Sequence, residues 1–595
     1  MKRVRRGDSI RTLIARLLPS IARYRRGLAW GIACVVLTDL IALTQPQVLR
    51  FAVDDLYRGV TAEKLGRYAV ILFAIAVVSG LFKFWMRLAV IGISRHLEFD
   101  LRNELFAHLQ RLPLQYFQRA RTGEIMSRAT NDLSAVRMML GPGLMYLVNT
   151  VVVALVSIGF MLTISPRLTL WSLLPLPLVS LAVWLFGERI HRRFEEIQAH
   201  FATLSARVQE NLAGVRVVRA FAREERELDD FRGLNREYLD MNLGLIHTSG
   251  FLNPALTLLS GIAALLALYL GGRQVVAGQI TLGQFVAFTV YLGMLNWPMV
   301  ALGWVVNLFQ RGLASYRRIL EILDERPAEP GPAVHPPSPA LAVVRARGEI
   351  EFRHLTFTYP GATRPALNDV SFSVPAGRTV AIVGHTGSGK STLLAMLPRL
   401  FEPPPGTVFL DGRDVRAWEL GALRRQIGMA PQDPFLFSAT LAGNIAYGVE
   451  HADAAAIERV ATIAGLDGDA RGFPAGYATR VGERGITLSG GQKQRATIAR
   501  AVLRDAPLLL LDDCLSSVDT QTEETILRGL RGEMARRTTL IIAHRVSTVR
   551  EADEIIVLDD GAVRERGSHA QLIARGGPYA VLVRQQQLEE ELEAS

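Results

Sequence analysis

The sequence predicts a two-part fold class: an all-α membrane domain with six spanning helices, followed by an α/β domain built on a parallel sheet. Hydrophobic residues make up 49% of the chain and its mean hydropathy is +0.21, which is high for a wholly soluble protein. Apolar segments of membrane-spanning length are confined to the first half. The second half instead alternates short, continuously apolar runs with helical patterns, which is typical of strands buried on both faces of a parallel sheet.

The boundary between the two parts is marked by proline. With 595 residues, the chain is long enough for roughly two to four domains. The predicted membrane domain covers residues 1–325, and a linker at 326–346 begins with RPAEPGPAVHPPSP, which contains too few apolar residues to pack into a core. The predicted α/β domain covers 347–595.

Six apolar segments are long enough to cross a bilayer, whose hydrocarbon core needs a helix of about 20 residues. The loops after the second and fourth segments are long, rich in arginine and helical in pattern, notably at 97–112 and 189–208. Because positively charged loops stay in the cytoplasm, we expect a multi-pass protein of the cytoplasmic (inner) membrane with both termini and both long loops cytoplasmic. The six segments are 28–49, 67–92, 141–162, 168–187, 251–271 and 282–306.

The basic character of the chain points to a membrane surface. The net charge is +11, and nine basic residues lie within positions 2–26, directly before the first apolar segment. This position favours the lipid bilayer as a partner and, together with the six spans, excludes a soluble protein that acts on nucleic acid. Apolar residues between 10 and 21 recur at helical spacing, which predicts an interfacial helix interrupted at Pro19; an ordinary basic flank is the alternative.

Few ionisable residues fall inside the apolar segments. They are chiefly Asp39 in the first segment and Lys83 and Arg87 in the second. A charge within the hydrocarbon region is costly and therefore indicates a function unless it is paired. Two interpretations stay open for Asp39: a structural interhelical contact or a contact to the transported molecule.

A phosphate-binding motif follows the apolar run Thr379–Val383. In GHTGSGKST, Gly384 to Thr392, the glycines allow backbone N–H groups to surround phosphates. Lys390 is placed to reach the β- and γ-phosphates of ATP, and Ser391 to bind Mg²⁺. Only five lysines occur in the whole chain, which makes Lys390 more conspicuous. The predicted phosphate-binding residues are Gly384, Thr386, Gly387, Ser388, Gly389, Lys390, Ser391 and Thr392.

A second motif, LLLLDDCLSSVD from Leu508 to Asp519, reads as a buried strand that ends in two adjacent carboxylates. In phosphate-binding ATPases such a strand supplies one carboxylate for Mg²⁺ and an acidic neighbour that polarises water. Asp512 is the candidate for Mg²⁺ and Asp513 the candidate for the water. The second acid is usually the longer glutamate, so Asp513 is a departure.

The order of these motifs is specific. LSGGQ, Leu488 to Gln492, lies about twenty residues before the paired acids, and His544 follows in IIAHR. This order resembles the P-loop nucleotide-binding domain of ATP-binding cassette transporters. The resemblance implies that ATP and Mg²⁺ are the cofactors, that Tyr359 in FTYPG stacks on adenine, and that Gln432 in APQDPFLF contacts Mg²⁺.

The same resemblance implies the remaining roles. His544 would sense the γ-phosphate, so Asp513, His544 and Gln432 form the predicted catalytic set. The predicted Mg²⁺ ligands are Ser391, Gln432 and Asp512. Nucleotide would also contact the LSGGQ residues, which are Ser489, Gly490, Gly491 and Gln492.

Because the six segments precede this domain on one chain, the whole protein resembles an exporter half-transporter. Segments 116–132 and 210–225 resemble the cytoplasmic loops whose short coupling helices touch the ATPase domains. The family closes two nucleotide-binding domains head to tail, with ATP between the phosphate loop of one and the LSGGQ of the other. One chain has one of each, so the resemblance implies a second half-transporter as partner.

Asp513 bears on the identity of that partner. A carboxylate that polarises water must lie within hydrogen-bond reach of it, and losing one methylene withdraws the group by roughly 1 Å, a misplacement that costs about a hundredfold in rate. In exporters of this kind the substitution marks the degenerate half of a heterodimer, whose partner carries the catalytic glutamate. A homodimer that tolerates aspartate is the alternative.

We therefore expect a subunit of an ATP-driven exporter that moves hydrophobic or amphipathic substrates, such as drugs, peptides or lipids. Its own site would bind ATP and hydrolyse it weakly, while its LSGGQ completes the partner's site. Two alternatives remain: a homodimeric lipid flippase, and an ATP-gated membrane regulator or channel.

Overall fold

The computed structural model describes the chain in four stretches, and two compact units can be distinguished in it. Unit 1 comprises Met1–Gln110 and Ala120–Arg326, and unit 2 comprises Arg111–Arg119 and Pro327–Ser595. Most of the predicted linker at 326–346 lies outside the described residues. The described residues are 10–327, 345–482, 485 and 488–594.

The described part of unit 1 is built from helices, two of which run for 48 and 53 residues. At a rise of 1.5 Å per residue these two helices are about 70 and 80 Å long, well beyond the ~30 Å of a hydrocarbon core. The helices are α1 (Ile10–Ala22), α2 (Arg25–Arg58), α3 (Ala62–Leu109), α5 (Thr122–Ser127), α6 (Leu133–Met138), α7 (Leu144–Ile164), α8 (Pro166–Leu173), α9 (Leu176–Ala213), α10 (Val215–Ala220), α11 (Glu224–Val276), α12 (Leu282–Met294) and α13 (Asn296–Leu323), with α4 (Leu114–Arg119) in unit 2 and π-helical turns at Arg128–Asp132 and Met139–Gly143.

Five stretches in the described residues are long and apolar enough to cross a membrane, and each contains one predicted span. The fourth predicted span, 168–187, falls on α8 and the start of α9, where several side chains lie outside the description. The predicted continuation at 189–208 is helical within α9, and the one at 97–112 is helical as far as Leu109, three residues before its predicted end. The five stretches are Arg25–Arg58, Ala62–Leu109, Thr122–Ile164, Glu224–Val276 and Leu282–Leu323.

The N-terminal helix α1 does not stop at Pro19, so the predicted interruption there is wrong. Proline removes one backbone donor but its fixed φ is compatible with a helix. Leu13 and Leu17 are buried, and the guanidinium of Arg16 donates to both carboxylate oxygens of Asp324, at 2.8 and 2.5 Å. Helix α1 is therefore held against the end of α13.

The described part of unit 2 contains two sheets. In the six-stranded sheet the order is β10-β9-β3-β8-β7-β6; the pairs from β9 to β6 are parallel, and β10 is antiparallel to β9. The smaller sheet, β2-β1-β4-β5, is antiparallel. The strands are β1 (Ile350–Phe357), β2 (Leu367–Val374), β3 (Thr379–Val383), β4 (Val408–Leu410), β5 (Arg413–Asp414), β6 (Ile427–Ala430), β7 (Leu508–Asp512), β8 (Thr538–Ile542), β9 (Glu554–Asp559) and β10 (Ala562–Gly567).

Helices cover both faces of the six-stranded sheet. Along β3, Ala381 and Val383 face one apolar core, whereas Val380 and Ile382 face the other. The predicted fold class, a helical membrane domain followed by an α/β domain, is thus confirmed. Besides α4, the described α-helices of unit 2 are α14 (Lys390–Met396), α15 (Leu420–Arg425), α16 (Leu441–Ile445), α17 (Ala454–Ile463), α18 (Asp467–Gly472), α19 (Gly490–Leu503), α20 (Thr520–Met534), α21 (Val546–Val549), α22 (His569–Arg575) and α23 (Pro578–Ala594).

Candidate nucleotide site

Four neighbouring strands of the parallel sheet bring the predicted site residues to one edge. The glycine-rich loop follows β3, His544 follows β8, Asp512 and Asp513 lie at the end of β7, and Gln432 follows β6. Because parallel strands present their carboxyl ends at the same edge, residues far apart in sequence become neighbours there. The sheet order therefore assembles the site.

The glycine-rich loop has a backbone that other residues could not adopt. Gly384 and Gly389 have φ angles of +151° and +96°. A Cβ at Gly384 would lie 2.0 Å from the carbonyl oxygen of Leu558, and one at Gly389 would lie 2.4 Å from that of Ala366. These contacts are impossible for a side chain, so glycine is required, and the loop stays open to phosphate from its backbone side.

The Lys390 side chain is only 7% exposed and its ammonium lies inside the loop. Nζ donates to the carbonyl oxygens of Gly384 and His385 at 2.7 and 2.8 Å, and to Ser388 Oγ at 3.4 Å. Burial lowers the pKa of this ammonium, and the carboxylates of Asp513 and Asp512 act in the opposite direction. The loop thus holds a positive charge, which suits a bound anion, against two backbone carbonyl groups.

Ser391 and Asp512 form a pair of hard oxygen ligands. Ser391 Oγ donates to Asp512 Oδ1 at 2.9 Å. Burial raises the pKa of Asp512 above its usual value, and the bond from Ser391 opposes this. A hydroxyl and a carboxylate at this distance fit Mg²⁺, which prefers oxygen ligands and takes the rest of its shell from water and phosphate. Among the described residues no group of three or more His, Cys, Asp and Glu could hold a metal ion.

Asp513, the candidate catalytic acid, has a left-handed backbone with φ +43°, and its N–H donates to the Ile542 carbonyl at 2.9 Å. Within the described residues its side chain accepts one long hydrogen bond, from Gln432 Nε2 to Oδ2 at 3.4 Å. Burial raises the pKa of the Asp513 carboxyl, and its neighbours His544 and Lys390 oppose this. The carboxylate is therefore buried beside the phosphate loop but weakly held.

These side chains line a cavity of about 320 Å³. Tyr359 forms part of its wall; its hydroxyl is 2.8 Å from Thr392 Oγ1, and its ring meets Phe357 and Phe401 edge to face, with centroids 5.1 Å away in each case. These contacts fix the ring where a flat base could stack. Of the predicted residues, the cavity is lined by Tyr359, Thr386, Gly387, Gly389, Lys390, Ser391, Thr392, Gln432, Asp512, Asp513 and His544.

The LSGGQ segment lies outside this cavity, at the start of α19. Ser489 caps the helix: its Oγ accepts from Gln492 N at 3.2 Å, and its own N–H donates to Gln492 Oε1 at 3.0 Å. A Cβ at Gly491 would lie 3.1 Å from the Ser517 carbonyl oxygen, so LSGGQ packs directly against the loop after Asp513.

Gln494 is a positioning residue that the sequence did not reveal. It is 2% exposed, donates to Ser516 Oγ at 3.1 Å and accepts from Ser517 N at 3.0 Å. Ser516 Oγ in turn donates to the Asp513 carbonyl at 3.0 Å. One buried amide thus fixes the loop that links the paired acids to LSGGQ. The only signal in the sequence was a polar residue on the inner face of a helix.

The chain matches two family descriptions. The family described as "ABC transporter transmembrane region" matches residues 28–299, and the family described as "ABC transporter" matches residues 367–516. These matches fall on the helical unit and on the α/β unit, respectively.

Curated relatives match over nearly the full chain. The chain is 38% identical over 568 residues to a probable multidrug resistance ABC transporter ATP-binding/permease protein, YheI, of Bacillus subtilis, covering 94% of this chain and 96% of that protein. It is 38% identical over 588 residues to the multidrug resistance-like ATP-binding protein MdlA of Escherichia coli, covering 98% of each. An ATP-dependent lipid A-core flippase of Vibrio vulnificus is 33% identical over 571 residues, covering 96% of this chain and 97% of that protein.

A solved structure of a bacterial Atm1-family ABC exporter with ATP bound is similar in fold. Its TM-score is 0.76 with 31% sequence identity, and the match covers 94% of this chain and 99% of that one.

Proposed function

Given that the chain belongs to the ABC transporter family, as an exporter half-transporter whose membrane region and nucleotide-binding domain are fused, we propose that it is the degenerate-site subunit of a heterodimeric exporter. Its family couples ATP hydrolysis to transport. In this proposal the chain's own site binds Mg-ATP and turns it over slowly, while its LSGGQ completes the competent site of a second, different chain.

The residues of the cavity support Mg-ATP as the ligand. The glycine backbone and Lys390 would hold the phosphates, the oxygens of Ser391 and Asp512 would bind Mg²⁺, and the ring of Tyr359 would hold the base. Mg²⁺ in such a site neutralises charge on the transferred phosphoryl group. Gln432 and His544 lie at the same edge of the sheet and would complete the contacts to Mg²⁺ and the γ-phosphate.

The observation that carries the degenerate-site proposal is the aspartate at position 513. Its carboxylate is one methylene shorter than the usual glutamate, and its one side-chain hydrogen bond in the described residues, from Gln432, is 3.4 Å long. A water-polarising group that is set back by about 1 Å loses roughly a hundredfold in rate. Binding of ATP does not depend on the position of this carboxylate, because Lys390 and the glycine backbone provide the contacts to the phosphates.

The separation of the two nucleotide-contacting parts supports the need for a second chain. The cavity at the end of β3 and the LSGGQ at the start of α19 belong to the same domain, yet Ser489 does not line the cavity. A site built from both would therefore take one part from each of two chains. Ser489 and Gly491 of this chain would then serve the nucleotide of the partner.

We further propose that the substrate is amphipathic and leaves the cytoplasm or the inner leaflet by alternating access. The apolar spans and the names of the relatives, which refer to multidrug resistance and to lipid A-core, support this substrate class. Positive charge before the first span supports a topology in the cytoplasmic membrane with both termini in the cytoplasm.

Purification of the assembled complex from its native membrane, followed by mass spectrometry, tests the partner. We expect a second half-transporter, in about equal amount, with glutamate at the position that corresponds to Asp513. A complex that contains only this chain would contradict the heterodimer.

A homodimeric lipid flippase is the second candidate, because relatives named as lipid A-core flippases are 33 to 34% identical over 96% of this chain. It requires that two copies with Asp513 hydrolyse ATP at a useful rate. Substantial ATPase activity of the pure chain without a partner would favour this candidate.

A further inference from the structure

The membrane-spanning part of unit 1 contains a carboxylate buried among apolar side chains. Asp39 lies in α2 near the middle of the first predicted span and is only 6% exposed, whereas Lys83 and Arg87 on α3 are exposed. One turn before Asp39, Cys34 and Val35 belong to an apolar cluster formed by α2, α3 and α7. A carboxylate in such surroundings is costly and is kept where it serves a function.

The two oxygens of this carboxylate differ. Oδ1 accepts a short hydrogen bond of 2.6 Å from Asn149 Nδ2 on α7. Oδ2 is also buried, but no hydrogen-bond donor in the described part of the chain reaches it. Lys83 acts on Asp39 through its electrostatic field, yet it makes no hydrogen bond to Oδ2. The carboxylate is therefore oriented by one amide and left with an open acceptor position.

The helix that bears Asn149 is irregular close to this position. A π-helical turn at Met139–Gly143 ends six residues before Asn149, about 9 Å along the helix axis. π-helical turns are rare overall, but many of those that occur lie at functional sites. The contact between Asp39 and Asn149 thus lies close to an irregular segment of the kind that is frequent at functional sites.

We propose that Asp39 and Asn149 form a binding site within the membrane for the positive charge of a lipophilic organic cation. This inference rests on the proposed export function and names part of its substrate class. The Asn149 amide holds Oδ1 and so aims Oδ2, which receives the cation; the surrounding apolar side chains accept its hydrocarbon part. Lys83 competes with the cation through its charge.

Equilibrium binding of two matched ions to the assembled complex in nanodiscs, without nucleotide, tests this site. Tetraphenylphosphonium and tetraphenylborate have nearly the same size and shape and opposite charge, and ion-selective electrodes measure both. We expect Asp39→Asn to weaken phosphonium binding about tenfold, as the loss of one buried charge contact does, and to leave borate binding unchanged or stronger. The substituted amide keeps the side-chain volume and can still hydrogen-bond Asn149.

Two further variants keep the test independent of folding. Asp39→Glu retains the charge and should retain the preference for the phosphonium ion. Lys83→Gln removes an exposed competing charge and should strengthen phosphonium binding roughly twofold. Opposite effects of Asp39→Asn and Lys83→Gln cannot arise from a general loss of packing.

Equal phosphonium affinity in the native complex and in Asp39→Asn would overturn the proposal, as would an equal loss of both ions or no phosphonium binding to the native complex. Failure of the export function is distinguished by a separate measurement. Phosphonium binding that depends on Asp39 in a complex that neither hydrolyses ATP nor moves the ion would leave the site standing and reject export.

Discussion

Lengthening the carboxylate at position 513 should raise hydrolysis at this chain's own site. The change Asp513→Glu adds the methylene that separates this chain from the common pattern. The present hydrogen bond from Gln432 to Asp513 is 3.4 Å long and holds the carboxylate weakly, so a longer side chain is free to advance toward the phosphate loop.

Two effects of this change oppose each other. Recovery of about 1 Å restores roughly a hundredfold in rate, which corresponds to about 2.7 kcal/mol. The backbone at position 513 has φ +43°, a conformation in which aspartate is tolerated better than glutamate, and the exchange costs up to about 1 kcal/mol. Even if the whole of that cost is subtracted from the gain, the activation free energy falls by about 1.7 kcal/mol, which predicts a rate increase of about 20-fold.

The assay is steady-state ATPase activity of the complex in which the partner's catalytic glutamate is changed to glutamine, so that the site of this chain dominates turnover. Asp513→Asn in the same background is the matched control and should give no increase. If Asp513→Glu leaves the rate at the level of that control, the length of the side chain does not limit hydrolysis and the reasoning fails.

Three further predictions concern the same domain. Lys390→Ala should weaken ATP binding at this chain's own site by about tenfold or more, since a buried charged donor is lost. It should not abolish the ATPase activity of the complex. Complete loss of that activity would mean that this site is the catalytic one or that it must be filled. Tyr359→Ala should weaken binding of ATP but not of inorganic triphosphate, because the ring that stacks on the base is lost. Tyr359→Phe is the control that keeps the ring. Equal weakening of both ligands would contradict base stacking. Gln494→Leu leaves the Ser517 N–H and Ser516 Oγ without their partner and should lower turnover of the complex about tenfold. Turnover equal to that of the native complex would exclude the positioning role.

The candidate site residues that could be predicted from the sequence lie in contiguous motifs. Lys390 and Ser391 could be proposed as phosphate and Mg²⁺ contacts because glycines at fixed spacing force one loop conformation, and the loop follows the strand β3 as predicted. Asp512 could be proposed as an Mg²⁺ ligand because a fully apolar run that ends in acid is typical of a central strand of a parallel sheet, and β7 does end at Asp512. The fold class followed from the same apolar patterns, which report burial directly.

Contacts between distant residues could not be predicted in this way. The bond from Gln494 to Ser517 and the bond from Asn149 to Asp39 join residues 23 and 110 positions apart, and each depends on the packing of helices or loops. The passage of α1 through Pro19 was also missed, because tertiary contacts such as the one from Arg16 to Asp324 outweigh local preference. The end of α3 at Leu109 differs from the predicted end by three residues.

Ser489 has a structural role in addition to its proposed contact with nucleotide. Its hydroxyl caps α19, and removal of such a cap costs about 1 kcal/mol. Ser489→Asn keeps a capping group but lacks the hydroxyl, so a loss of turnover shared by Ser489→Ala and Ser489→Asn reports the contact to nucleotide and not the cap.

In the proposed heterodimer this chain's own site hydrolyses little, while its LSGGQ serves a competent site on the partner. Steady-state ATPase activity of two purified complexes, one with Asp513→Asn and one with Ser489→Ala in this chain, distinguishes the two sites. We expect Asp513→Asn to retain most of the turnover and Ser489→Ala to lower it roughly tenfold or more. Turnover abolished by Asp513→Asn would contradict the claim and assign catalysis to this chain's own site.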